Sequence, residues 1–272
     1  MTARRNLPWL ALRAVVFLTY AFMLGPILIT AAVSFNAASQ SKFPPVGFSL
    51  RWWNEAFTAR WLEPLLFSLK LALLSSFLAT ALGLALAVGV TRYRFRGSRA
   101  ILALSVSPLI LPALVTSIGL LQLLNLLGLG ELLGLPALLV GHVVICLPFS
   151  VRTIAISLAG LPPRVEDAAT SLGAPPARVF LEFVLPLIKS GIFAGATFAF
   201  VQSFTDYSVS LFLSSAEAQP ITITILTFIE FGFTPTLAAV AVITLVIPLL
   251  LVLAVQHFFR VGDYIYGGAV RG

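Results

Sequence analysis

The side chains that could do chemistry in this 272-residue sequence mostly stand singly among apolar neighbours. His142 and Cys146 lie four apart, which puts them on one face of a helix. Two ligands without a third nearby make a poor metal site. A buried histidine bonded to a neighbour is the expected use, and no metal is expected; His257 falls near the far end of the last apolar stretch. Lys189 and Ser190 are adjacent, so on a helix they point apart and form no nucleophile–base pair. None of the three lysines, Lys42, Lys70 and Lys189, follows the glycines of a phosphate-binding loop, so no ATPase site is expected in this chain; no cofactor is expected either. Asp206 precedes Tyr207, and Asp206 lies within or near the outer half of the fifth apolar stretch; Glu230 lies in the outer segment 213–235, where a short amphipathic helix is expected before the last stretch. Acids inside apolar spans are costly and commonly functional. A carboxylate beside an aromatic face suits an alkylammonium cation. Each acid could equally end a helix at an interface, or pair with Lys70 or with an arginine of another chain.

A denser polar island is Glu166-Asp167-Ala168-Ala169-Thr170-Ser171-Leu172-Gly173, followed by Leu185-Pro186. It opens with Leu161-Pro162-Pro163-Arg164, and proline is tolerated in a first helical turn because its missing N–H is not needed there. Glu166 and Asp167 then sit where negative charge suits the helix dipole. Ala168 and Ala169 are strong helix formers with almost no side chain. Gly173 can take the left-handed conformation that ends a helix, and Pro175-Pro176 cannot continue it. The expected unit is a helix of about two turns, a sharp corner, and a second helix from about Ala177 into the next apolar stretch. A small-faced helix of this kind can dock in a groove of another protein and pass motion onward. The plainer alternative is an ordinary connecting loop.

The elements that carry these residues are membrane spans. The chain is 59% hydrophobic and 10% charged, with a mean hydropathy of +1.04. A soluble domain is nearer half apolar and a quarter charged. Six apolar stretches run roughly over 9–33, 64–90, 100–128, 137–158, 183–212 and 236–258. Lipid leaves no open backbone group satisfied, and no strand alternation appears, so all six are expected to be helices. Prolines 108, 112, 148 and 248 predict kinks. The net charge of +7 reflects basic residues gathered on one side of a membrane rather than affinity for nucleic acid. Arg4, Arg5, Arg92, Arg94, Arg96, Arg99, Arg152, Arg164, Arg178, Arg260 and Arg271 fall on one side; Lys42, Arg51 and Arg60 fall on the other. Both termini are therefore expected in the cytoplasm. Arg92 to Arg99 serve as a topology determinant, and Trp52-Trp53 suit the lipid–water interface. The apolar run after Arg4-Arg5 exceeds the core of a secretion signal, so it is expected to remain as the first span.

The spacing Asp167-Ala168-Ala169, three residues, Gly173, nine residues, Phe183, one residue, Leu185-Pro186 resembles the Glu-Ala-Ala loop of permease subunits in binding-protein-dependent ABC importers. Asp167 replaces the family's glutamate, with Glu166 just before it, and Phe183 stands where isoleucine is usual. Phe48-Ser49-Leu50-Arg51-Trp52-Trp53, Ser68-Leu69, Arg92-Tyr93-Arg94-Phe95-Arg96-Gly97, Gly141-His142, Pro148-Phe149 and Phe200-Val201-Gln202-Ser203-Phe204 are similar to the second permease of spermidine/putrescine importers. The resemblance implies an all-α integral membrane fold of six transmembrane helices with a cytoplasmic coupling helix, the type I importer permease fold. Residues 1–63 would form the first helix and an outer loop, 64–256 the permease domain with its coupling loop at 159–186, and 257–272 a cytoplasmic tail. It implies a bacterial inner-membrane location and four kinds of partner: cytoplasmic ATPases that bind the ATP, a second permease, a periplasmic or surface substrate-binding protein, and lipid. Glu166, Asp167, Ala168, Ala169, Gly173, Leu185 and Pro186 would couple to the ATPase, and Asp206, Tyr207 and Glu230 would line the substrate pathway. The chain itself would be no enzyme.

The implied cargo is a polyamine, with aminophosphonate, ferric iron and thiamine as alternatives. A secondary transporter working alone would need inverted repeats with broken helices, and none is evident. An intramembrane enzyme would need a nucleophile–base set or a metal triad, which the spans lack.

Overall fold

A computed structural model describes residues 7–93, 95–162 and 164–259. Arg4, Arg5, Arg94, Pro163, Arg260, Arg271 and the rest of the expected tail beyond Phe259 lie outside the described residues. The described chain is helical: α1 Leu7–Ser34, α2 Arg51–Ala56, α3 Ala59–Arg92, α4 Ser98–Val106, α5 Ala113–Leu126, α6 Leu135–Ala159, α7 Arg164–Ser171, α8 Pro176–Arg178, α9 Leu185–Leu187, α10 Lys189–Thr205, α11 Ser208–Leu213, α12 Ile221–Glu230 and α13 Pro235–Phe259. Four of these, α1, α3, α6 and α13, are long and apolar enough to cross a bilayer. The count reaches six if each of two bent pairs is one span.

Both bent pairs differ from the continuous helices the apolar stretches predict. The expected span 100–128 is α4 with a 3₁₀ turn at Ser107–Leu109, then α5, at 108° to one another. Pro112 explains the break, because it lacks an N–H and disfavours helical backbone in the residue before it. The fourteen residues of α5, at about 1.5 Å each, fall short of the roughly 30 Å hydrocarbon core. The expected span 183–212 is likewise divided. After α8, a π-helical segment Val179–Val184 widens the backbone ahead of Pro186. Proline at 186 removes the hydrogen bond to the carbonyl of Glu182 and crowds that carbonyl. The axis then turns by 67° at Ile188 before α10 begins.

The described residues fall into two compact units, one within Met1–Glu63 and Ile225–Val246, the other within Pro64–Thr224 and Ile247–Gly272. In the first, the segment after α1 folds around buried Asn36. Its side-chain amide donates to the Lys42 carbonyl (3.1 Å) and accepts from the amides of Ala38 and Val46. Trp52 donates to the Asn36 carbonyl at 2.7 Å, and Phe35 stacks between Phe48 and Trp53. The paired tryptophans are thus engaged by their own chain.

In the second unit, α6 and α10 make the central contact. Lipid tails are as apolar as leucine, so helices in a bilayer gain little by hiding leucines and depend on close packing and hydrogen bonds. The α6 face has small polar residues at four-residue steps, which align on one side. They meet small residues of α10 running the other way: Cys146 donates to the Ala199 carbonyl (3.1 Å) and Ser150 to the Gly195 carbonyl (3.5 Å). The approach is close enough that a Cβ on Gly191 would lie 2.4 Å from Cβ of Ser157. The same Ser150 also meets α3, where a Cβ on Gly83 would lie 2.7 Å from its Cβ.

Candidate functional site

Two polar groupings bear on function. The first lies near the start of α6. His142 is buried, with Nδ1 2.8 Å from the Ser203 hydroxyl and Nε2 3.2 Å from the Ser210 hydroxyl. A neutral imidazole has one donor and one acceptor nitrogen, so the two serines satisfy the ring. Cys146 is held by α10 as described, its thiol donating to the Ala199 carbonyl. His257, by contrast, is exposed near the end of α13, edge-on to Phe258.

Asp206 belongs to this grouping. It ends α10 in an extended conformation and starts α11: its carboxylate accepts from the amides of Val209 (2.8 Å) and Ser210 (3.4 Å). An acid at that position satisfies amides that a helix start leaves open. The Asp206 carbonyl accepts from Ser210 and from Thr222, tying α12 to the same corner. Only 7% of Asp206 is exposed, and among the described residues no lysine or arginine pairs with it. Tyr207 points outward, 49% exposed. Glu230 is exposed as the last residue of α12, a short apolar helix.

The second grouping is α7 and the corner behind it. Gly173 has φ +83°, and the corner is closed by two hydrogen bonds, Ala174 N–H to the Ala169 carbonyl (3.2 Å) and Gly173 N–H to the Thr170 carbonyl (2.9 Å). This pair is the Schellman arrangement, in which a left-handed residue satisfies the open carbonyls of a helix end. The adjacent acids separate. Glu166 turns inward to an ion pair with Arg92 (2.6 Å), while Asp167 is exposed. The adjacent alanines separate too. Ala169 is 4% exposed and packs in a core with Ala87, Ile154, Leu158, Val179, Val184 and Ile188, whereas Ala168 faces out. Leu172, at the tip, is 89% exposed. Beyond the corner Leu185 is half-buried and Pro186 exposed.

Sequence reasoning missed two things. The close approach of α6 and α10 was signalled by Gly191 and Gly195, a Gly-x-x-x-Gly spacing that commonly marks tight helix contacts in membranes. The role of Arg92 had no local signal, since Glu166 lies far from it in sequence.

Residues 79–260 match the family described as binding-protein-dependent transport system inner membrane component. The chain is 31% identical over 252 residues to a spermidine/putrescine transport system permease protein, PotC, of Haemophilus influenzae, covering 92% of this chain and 97% of that protein. It is 30% identical over 248 residues to a putrescine transport system permease protein, PotI, of Escherichia coli, covering 88% and 86%. A 153-residue segment is 35% identical to a probable molybdenum ABC transporter permease protein of Haloferax volcanii, covering 54% of this chain and 57% of that protein. Among solved structures, a bacterial alginate ABC transporter, in complex with an alginate pentasaccharide-bound periplasmic protein, superposes with a TM-score of 0.74 at 15% identity, over 94% of this chain and 95% of that one.

Proposed function

The chain belongs to this family, the inner-membrane components of binding-protein-dependent transport systems, and on that premise we propose that it is a pathway-forming permease of an ATP-driven polyamine importer. The family consists of non-catalytic, multi-pass transport subunits, and ATP is bound by a separate subunit.

The observation that carries it is the division of labour on α7. Glu166 and Ala169 hold the helix to its own chain, while Asp167, Ala168 and Leu172 are free at the surface. A small, acidic face with one protruding leucine suits a groove with basic groups at its rim, and it is here assigned to a cytoplasmic ATPase. Gly173, Leu185 and Pro186 then set the angle at which α10 leaves the loop. The excess of arginine in the inner loops supports a cytoplasmic position for α7 and for both termini. A second permease completes the pathway, and a periplasmic or surface binding protein delivers cargo from the opposite side.

Polyamine cargo is supported by the likeness to PotC and PotI along most of the chain. The exposed Tyr207 ring offers a face for an alkylammonium group. Glu230 offers an exposed carboxylate, and Asp206, behind Tyr207, holds the corner from which that ring projects.

The test is uptake of radiolabelled spermidine by cells lacking their own polyamine import, producing this chain with its ATPase, partner permease and binding protein. ATP-dependent uptake, together with a cross-link from Ala168→Cys to the ATPase, is the expected result. Uptake by this chain alone that collapses with an ion gradient would overturn the importer assignment. Assembly and cross-linking with transport of molybdate and not spermidine would overturn the cargo alone.

A further inference from the structure

Arg92 is the last residue of α3, where a cation suits the negative end of the helix dipole. Glu166 lies in the first turn of α7, where an anion suits the positive end. One Nη2 of Arg92 reaches both the Glu166 carboxylate, at 2.6 Å, and the carbonyl of Leu158, at 3.2 Å, in the last turn of α6. Both side chains are about three-quarters buried, with exposures of 24% and 29%. A single guanidinium therefore joins the ends of three helices. Beside it, Ala169 of α7 packs with Ala87 of α3 and with Leu158 of α6.

We propose that Arg92 is a positioning residue for transport: a strut that makes α7, α3 and α6 move as one piece when the docked ATPase pulls on α7. Chain connectivity alone would deliver that pull to α6, which immediately precedes α7, and to α10 through a segment with a π turn and a bend at Ile188. The strut adds a direct tie from α7 to α3, which lies well before it in the chain, and a second tie between α3 and the end of α6. Both contacts come from one nitrogen, Nη2, so the tie to Glu166 rests on charge and on the reach of the arginine side chain. Since the strut acts on a helix assigned to ATPase docking, it rests on the function proposed above.

The experiment uses the whole transporter in lipid vesicles, with Cys146→Ala and spin labels at Ala85→Cys on α3 and Ser171→Cys on α7. Distances between the labels are measured without nucleotide and with ADP and vanadate. The expected result is one narrow distribution, unchanged between the two states, that broadens in Arg92→Gln and also in Glu166→Gln. Arg92→Lys, which keeps the charge but has a shorter reach, is expected to fall between. Spermidine uptake per ATP hydrolysed is expected to fall about fivefold in Arg92→Gln, a modest coupling on the scale of contacting pairs. An unchanged distribution in Arg92→Gln, or a wild-type distance that shifts with nucleotide, would overturn the strut. The label distances need no cargo, so absence of spermidine uptake by the wild type would count against the polyamine proposal and leave the strut to its own readout.

Discussion

The two polar groupings of the second unit use the same kinds of residue to opposite ends. Around Asp206 and His142, the ring and carboxylate bond to groups of the same chain, and the carboxylate is spent on the start of α11. On α7, one acid and one alanine are committed inward while their sequence neighbours face out. An acid in a membrane chain is therefore not a binding signal by its type. What counts is whether its hydrogen bonds are already filled, and that depends on the turn of helix it occupies.

Substitutions can pull this contrast apart, and their effects on thermal stability of the purified protein should descend in a set order. Gly141→Leu comes first. A Cβ there would lie 2.5 Å from Val209 Cγ1 and 2.8 Å from Leu213 Cδ1, so overpacking should destabilise by about 3 kcal/mol. His142→Ala follows, at about 2 kcal/mol, because it strips Ser203 and Ser210 of their shared partner in a buried site. Asp206→Ala should cost about 1 kcal/mol through loss of the α11 cap. Asp206→Asn keeps an acceptor, so it isolates the charge: unchanged spermidine uptake with normal assembly would remove that charge from the pathway. Ala168→Leu should have the smallest effect, within about 0.5 kcal/mol on an exposed site, yet ATP-dependent uptake should be lost. Equal stability losses at Ala168 and His142 would erase the contrast between an inward and an outward grouping.

The spans α1, α3, α6 and α13 could be read from the sequence because a long apolar run has few alternatives in lipid. The two broken spans could not be read in full. Pro112 and Pro186 announce a disturbance, but whether it yields a kink or a bend of 108° or 67° depends on what packs beside it. The two-turn α7 and its glycine corner were legible because capping chemistry is local: prolines before, acids first, Gly173 last. Which of Glu166 and Asp167 turns inward was not, since the answer sits on Arg92, in another helix. Likewise Asp206 reads as a lone acid until the amides of Val209 and Ser210 are found against it.

The fit of Gly191 against Ser157 has a bearing on how such a chain can change over generations. A methyl group gained on one side of that contact has to be given up on the other, so mutations along it are tolerated in matched pairs within one gene. Asp167, Ala168 and Leu172 answer to no residue of their own chain in this way. Their drift would be policed by whichever polypeptide they touch, and compensating changes would be found in a different reading frame.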